Sequence, residues 1–434
     1  MENPINVFWF RRDLRLYDNH GLFKALSSGR KVLPVFIFDR LILDELPATD
    51  RRVNFIYDSI QQINTSLNAK GRELMVFYGK PETVFEALFS TYTIGAIYTN
   101  NDYEPYALQR DEQIKQLALK YNAEFHGFKD QVIFEKDEVL KQDTTSYKVF
   151  TPYSRAWKNL LSREGIPHWP SENLLDQLDI VTPGAIPLLA EMHFESVNFH
   201  YPTFEIATEQ LVNYEKVRNQ PGEDATTHLG LHLRFGTLCI REAVKAGLKY
   251  SETWLDELIW REFFMQILFY YPRVTHQSFK PLYDRIAWRN DEADFERWKQ
   301  GTTGFPLVDA GMRELRETGF MHNRVRMVVA SFLTKHLLID WRWGEAWFAL
   351  HLLDYELSSN NGNWQWAAGS GCDAAPYFRI FNPWEQARKF DSEEIYVRRW
   401  IPEYNTIDYP APMVDHKMAR ERCLKTYNHA LKPQ

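Results

Sequence analysis

Hydrophobic residues in the first ~135 positions come in short bursts. "NVFWF" at 6–10, "KVLPVFIF" at 31–38, "ELMVFYG" at 73–79, "IGAIYTN" at 94–100 and "VIF" at 132–134 are β-branched or aromatic. Between them lie amphipathic stretches such as "RRVNFIYDSIQQINTSLNAKG" (51–71) and "PETVFEALFSTY" (81–92). Strand, helix, strand at this spacing predicts a parallel α/β sheet. Ligands on such sheets sit at the carboxyl ends of the strands. "FRRDLRLYDN" (10–19) falls there after the first strand, but it is not a glycine fingerprint for a dinucleotide. Residues 136–205 carry prolines at 152, 167, 170, 183, 187 and 202 and little periodicity, and read as a connector. From about 206 to 434 the period turns helical. "FPLVDAGMRELRETGF" predicts a helix with Pro306 at its first position and Gly319 as its cap. "HNRVRMVVASFLTKHLLI" sets Val325, Val329, Phe332 and His336 on one stripe.

Composition changes this picture in one respect. Hydrophobic content of 44% and charged content of 25% are ordinary, but aromatics reach 15% with 14 tryptophans. Eleven of those tryptophans fall between 254 and 400, so the helical part carries the unusual chemistry. A length of 434 residues suits two domains. No apolar run approaches the ~18 residues that span a bilayer. The amino terminus lacks a basic signal region, and Cys239, Cys372 and Cys423 are too dispersed for a disulfide framework. A cytoplasmic, monomeric protein is expected. The net charge of −7 argues against bulk attraction to nucleic acid but not against a local basic groove.

Three clusters could carry chemistry. In "TWLDELIWREF", Glu257, Trp260 and Arg261 share a helical face, with Trp254 one turn earlier. In "MHNRVRM", Asn323 and Met327 stand four residues apart. In "DYELSSNNGNWQWAAGSGCDAAPYF" (354–378), Trp364 and Trp366 diverge by about 200° if helical and share a face if extended. Taken singly, each cluster describes packing more readily than binding. No HExxH, CxxC, GxSxG or Walker A pattern occurs, so no metal is expected.

Taken in order, "FWFRRDLRLYDNHGL", "ELIWREFF", "TGFPLVDAGMREL", "MHNRVRM", "LLIDWRWGE", "NNGNWQWAAGSGCDAAPYFRIFNP" and "DHKMARER" closely resemble the photolyase/cryptochrome family over nearly the whole chain. The resemblance implies an α/β amino-terminal domain with a Rossmann-like parallel sheet (1–135), a connector (136–205) and an all-α FAD-binding domain (206–434). By motif, Tyr214 and Thr226, Thr227, His228, Leu229 and Gly230 contact the cofactor's phosphate and adenosine side, with Trp254 and Arg261 completing it. Many members carry serine where Gly230 stands. Arg326 and Asp354 match an ion pair beside the isoalloxazine, and Asn360 the residue facing flavin N5. Glu356 stands where relatives have aspartate. Trp364, Trp341 and Trp288 match the electron-transfer triad that reduces the flavin.

Glu257, Trp260, Asn323, Met327 and Trp366 match the lesion pocket of class I enzymes that split cyclobutane pyrimidine dimers. Members that repair (6-4) photoproducts carry histidines at the positions of Asn323 and Met327. The implied chemistry is electron donation from photoexcited FADH− to a flipped-out dimer in UV-damaged DNA, single- or double-stranded. Arg324, Arg379 and Lys389 are expected at the DNA phosphates. A second, antenna chromophore is left between deazaflavin-type and folate. Ala107 stands where folate-binding members have glutamate, and "YEPYALQRD" (103–111) lies nearer deazaflavin-type or antenna-free relatives. The rival from another class is a blue-light receptor of cryptochrome type, disfavoured by the short stretch after "RRWIPEY".

Overall fold

The computed structural model describes residues 3–180, 184–223 and 225–432. The chain forms two compact units that interleave in sequence. The first comprises Met1–Val139, Lys158–Ile206 and His228–Ala246, and the second Leu140–Trp157, Ala207–Thr227 and Gly247–Gln434. This differs from the three-part division expected from sequence. The stretch 136–205 is shared between the units, and 228–246 joins the first.

The first unit holds a five-stranded parallel sheet in the order β3-β2-β1-β4-β5. Its strands are β1 (Ile5–Phe10), β2 (Val32–Asp39), β3 (Met75–Gly79), β4 (Ile94–Asn100) and β5 (Glu124–Phe128), joined by α1 (His20–Leu26), α2 (Arg51–Asn68), α3 (Pro81–Thr91) and α4 (Pro105–Lys120). Each residue of β2 is buried, as a central parallel strand covered on both faces requires. Four strand runs and both quoted helices lie where the pattern predicts them. The run "VIF" does not. Val132, Ile133 and Phe134 are buried outside any strand, and the last strand is "EFHGF". As an edge strand half open to solvent, β5 alternates polar and apolar residues and so lacks the continuous apolar signature.

The connector also holds α5 (Phe150–Glu164), a 15-residue helix that the proline count hid. Pro152 lies in its first turn, where a missing N–H leaves no hydrogen bond unmade. Pro183 lies outside the described residues.

The second unit is helical. It contains α6 (Thr208–Val217), α7 (Glu252–Tyr270), α8 (Pro306–Thr318), α9 (Asn323–Ser331), α10 (Trp341–His351), α11 (Leu357–Ala368) and α12 (His416–Leu431). Pro306 and Gly319 act as predicted; Gly319 closes α8 in the left-handed region at φ 67°. Val325, Val329, Phe332 and His336 are all buried, though the chain widens into a π-turn at Phe332–His336. Such a turn re-phases the helix before α10.

Two close approaches lock α11 in place. Gly344 of α10 lies against the Trp364 ring, and Gly362 of α11 against Phe264 of α7. A methyl group at either position would overlap an aromatic ring, so these glycines serve packing.

Candidate active site

The helices α7, α9, α10 and α11 converge on two adjoining cavities in the second unit. Asn323, Met327, Ser359, Asn363 and Trp366 line both. The inner cavity, about 600 Å³, adds Arg326, Asp354, Glu356, Asn360 and Trp364. The outer, about 780 Å³, adds Arg218, Glu257, Trp260, Arg261 and Phe264.

Charges in the inner cavity are paired. Arg326 holds Asp354 bidentately, at 3.2 and 2.9 Å, while its Nε donates to the Met321 carbonyl. Such a fork is fixed in two directions, which a single point charge is not. Asn360 Nδ2 donates to the Glu345 carbonyl at 3.0 Å and to Glu345 Oε1 at 2.8 Å. Both partners are acceptors, so the amide nitrogen must face them and the amide oxygen faces away. Burial pushes the Glu345 carboxyl above its usual range, opposed by that hydrogen bond. Glu356 pairs with Arg261, at 3.0 Å between Oε2 and Nε. The longer acid therefore reaches a guanidinium that the family pattern assigns to the phosphate side.

In the outer cavity the Glu257 carboxylate Oε1 meets Arg218 Nη2 at 2.5 Å, a pair a quarter to a third exposed. Trp260 stacks on Phe150 at 3.8 Å between ring centres, 6° from parallel. Helicity of α11 separates the two tryptophans of "NWQW", as the helical alternative requires. Trp364 is buried against Phe348 and Trp298, and Trp366 reaches both cavities.

Trp364, Trp341 and Trp288 all pack on one core cluster, the first two fully buried and the third half-buried. Trp288 also meets the edge of Tyr427 on α12 at 6.0 Å. Arg324 donates to Asn219 Oδ1 at 3.2 and 2.7 Å. Burial pushes its pKa down, and the neighbouring charges of Arg218 and Arg379 push the same way. Arg379 and Lys389 are exposed.

Other expected cofactor contacts line neither cavity. Tyr214 on α6 lies under the Arg218 guanidinium, 5.3 Å from its ring centre, and Trp254 is buried in α7. Thr226 and Thr227 belong to the second unit, whereas His228, Leu229 and Gly230 belong to the first. Arg218 and Glu345 were not picked out from sequence. Arg218 stands four residues after Tyr214, the one spacing that could have flagged it. Glu345 gives no local signal, because its partner is 15 residues away.

The first unit has its own cavity at the carboxyl ends of β1, β2 and β4. Trp9, Arg11, Phe36, Phe38, Tyr106 and Arg110 are among its lining residues. The guanidinium carbons of Arg11 and Arg110 lie 5.1 and 4.8 Å from the Trp9 ring centre. The buried Trp9 Nε1 has no hydrogen-bond partner among the described residues. Ala107 lines this cavity too.

No group of three or more His, Cys, Asp and Glu side chains among the described residues could hold a metal ion. No helix among them is long and apolar enough to cross a membrane.

A family model described as DNA photolyase matches residues 6–171, and one described as the FAD binding domain of DNA photolyase matches 254–408. The deoxyribodipyrimidine photo-lyase of Escherichia coli K12 is 36% identical, over 98% of this chain and 99% of that protein. The solved structure of a bacterial class III photolyase from Agrobacterium tumefaciens superposes with a TM-score of 0.87 at 32% identity, covering 100% of this chain and 99% of that one. An archaeal photolyase from Sulfolobus tokodaii, solved with two FAD molecules, gives 0.81 at 33%, covering 98% and 99%. The chain belongs to the DNA photolyase family, and its helical part carries that family's FAD-binding domain.

Proposed function

We propose that the protein is a deoxyribodipyrimidine photo-lyase that splits cyclobutane pyrimidine dimers in DNA under near-UV or blue light. The observation that carries this reading is the shared wall. Asn323, Met327, Ser359, Asn363 and Trp366 line both the inner and the outer cavity, so occupants of the two would be separated by side chains alone.

The inner cavity suits FAD. A fixed guanidinium–carboxylate pair offers donors and acceptors to the polar edge of a planar heterocycle. The Asn360 oxygen, turned away from Glu345, offers an acceptor to a protonated ring nitrogen. Arg326, Asp354, Glu356 and Asn360 would hold the ring system, with Tyr214, Trp254, Arg261 and residues 226–230 at its phosphate and adenosine side. Bound there, reduced FAD supplies light-driven one-electron donation.

The chain's own side chains do the rest. Trp260 and Trp366 cover the dimer's rings and exclude water. Glu257 and Asn323 hydrogen-bond its polar edges, and Met327 fills the gap between them. Arg324, Arg379 and Lys389 bind backbone phosphate, which makes affinity salt-dependent in spite of the −7 net charge. Trp364, Trp341 and Trp288 relay electrons inward to restore the reduced state. We assign the protein to the cytoplasm as a monomer working on UV-damaged DNA.

The Trp9 cavity suits a second chromophore of flavin or deazaflavin type better than folate. Its aromatic walls and unpartnered indole N–H favour a planar ring with an acceptor at its edge.

The deciding assay adds a dimer-containing oligonucleotide to photoreduced protein and illuminates it. Recovery of thymine ultraviolet absorbance, which returns as splitting restores the C5=C6 double bond of each ring, is expected. Splitting of (6-4) photoproducts instead, or no recovery with either lesion, would favour the alternative repair class or the receptor reading.

A further inference from the structure

Trp260 lines the outer cavity, and Phe150 stands behind it without lining the cavity itself. The two rings lie 3.8 Å apart between centres and 6° from parallel. Aromatic pairs ordinarily settle at about 4.5–7 Å, offset or edge-on. A stack this close and this parallel is held by the segments that carry the rings, not by ring attraction alone.

Those segments are tied together along one stripe. Phe150, Tyr153 and Trp157 stand at i, i+3 and i+7 on α5, which puts them on one face. Trp157 Nε1 donates to Glu262 Oε1 of α7 at 2.6 Å, and the buried Tyr153 hydroxyl shares that carboxylate. At the other end, the Phe150 N–H donates to Asp373 Oδ2 at 3.0 Å. That N–H opens α5 and has no acceptor within the helix, so a carboxylate suits it both as acceptor and as charge. Phe263, one turn along α7, meets the Trp260 indole edge-on at 5.6 Å. With one broad face under Phe150, the indole can show the cavity only its opposite face and its edges. A ring that must lie flat on a dimer needs one tilt, and an unsupported indole would be free to change rotamer.

We infer that Phe150 is a positioning residue for lesion recognition, fixing the plane of the Trp260 indole from behind. The inference rests on the dimer-repair reading, in which Trp260 covers the dimer's rings. It makes α5 part of lesion recognition although its stripe touches no lesion.

The test measures affinity for a dimer-containing oligonucleotide relative to the same strand undamaged, in the dark, on flavin-loaded protein. Phe150→Leu should lower that ratio about fivefold, and Phe150→Tyr should keep it near the wild-type value. A double-mutant cycle separates positioning from general packing. With Trp260→Leu already present, Phe150→Leu should lower the melting temperature but not the ratio, which Glu257, Asn323 and Trp366 keep above one. A ratio that Phe150→Leu leaves unchanged overturns the inference, and so does an equal fall with and without Trp260. If Phe150→Leu does not fold, Asp373→Ala slackens the anchor from an exposed position, and an unchanged ratio there overturns the inference likewise. A wild type that binds damaged and undamaged strands alike overturns the functional reading as well.

Discussion

The two cavities share a wall but treat charge differently. In the inner one the polar side chains have fixed partners: Arg326 holds Asp354, Glu356 meets Arg261 of the outer wall, and the Asn360 amide meets Glu345. In the outer one the Glu257 carboxylate lies under Arg218, a pair a quarter to a third exposed, and the nearby Arg324 is also positive. Asn323 stands exposed at its mouth. Paired groups orient a resident ligand because nothing is gained by moving them. An unbalanced set gains by exchanging partners, which suits a substrate that must come and go. One cavity is built to hold and the other to exchange.

Removing the exchanging acid should separate the two most sharply. Glu257→Ala takes away charge-assisted hydrogen bonds to the lesion worth ~1.5–3 kcal/mol, so binding and repair by pre-reduced protein should fall about 10- to 100-fold. Flavin content and spectrum should stay as they are. Loss of flavin instead would mean that Glu257 serves the inner cavity and that the division is wrong.

The next test leaves both cavities intact and cuts the route between the inner one and the surface. Trp288→Phe keeps an aromatic ring against Tyr427 but is harder to oxidise. Photoreduction of oxidised flavin should slow by about tenfold or more, equivalent to a barrier rise of ~1.4 kcal/mol or more. Repair by chemically reduced protein should continue at its former rate. Equal slowing of both would place Trp288 in the repair step.

These tests depend on assignments that differed in how legible they were. Trp288, Trp341 and Trp364 are scattered over 76 positions, and only the family motifs single them out. Packing on one core cluster adds a spatial reason. The helix around Pro306 and Gly319 could be read at once, because its stop and start signals are local. The strand "EFHGF" could not, since half-exposure at a sheet edge breaks the apolar run. For the site, Glu257, Trp260 and Arg261 were readable as one face of a single helix. Arg218 and Glu345 were not, because their partners, Glu257 and Asn360, lie 39 and 15 residues away and the long-range fold alone brings them together.

A smaller effect is expected where a holding pair is broken. Arg326→Met leaves Asp354 without its fork inside the inner cavity. The pair is about a fifth exposed on both sides, so water softens the loss below the several kcal/mol of a fully buried pair. Flavin affinity should drop several-fold, on the order of 1 kcal/mol, read as faster release of flavin on dilution. Binding of dimer-containing DNA by flavin-loaded protein should barely change. A larger loss of DNA binding than of flavin would put Arg326 on the exchanging side.

The last test asks whether both cavities hang on one support. Glu314 on α8 accepts from the His322 backbone N–H at 3.3 Å and from the Tyr396 hydroxyl at 2.5 Å. It thereby fixes the turn that launches α9, which gives Asn323, Arg326 and Met327 to the site. Burial raises its pKa to about 7, against the pull of those hydrogen bonds. A carboxyl that binds its proton more tightly when folded stabilises the fold at low pH, below its unfolded value. That contribution is lost as pH climbs from about 4.5 to about 7. Glu314→Gln carries no proton to lose, so its stability should be flatter across this window. Between pH 5 and pH 8 the variant should gain on the wild type by on the order of 1 kcal/mol, seen as a narrowing or reversal of the difference in melting temperature. Because α9 serves both cavities, flavin affinity and dimer affinity should follow the same pH trend in the wild type, and both trends should flatten in the variant. If one affinity flattens and the other does not, the two cavities are supported separately, and the contrast between holding and exchanging extends down to the helix that carries them.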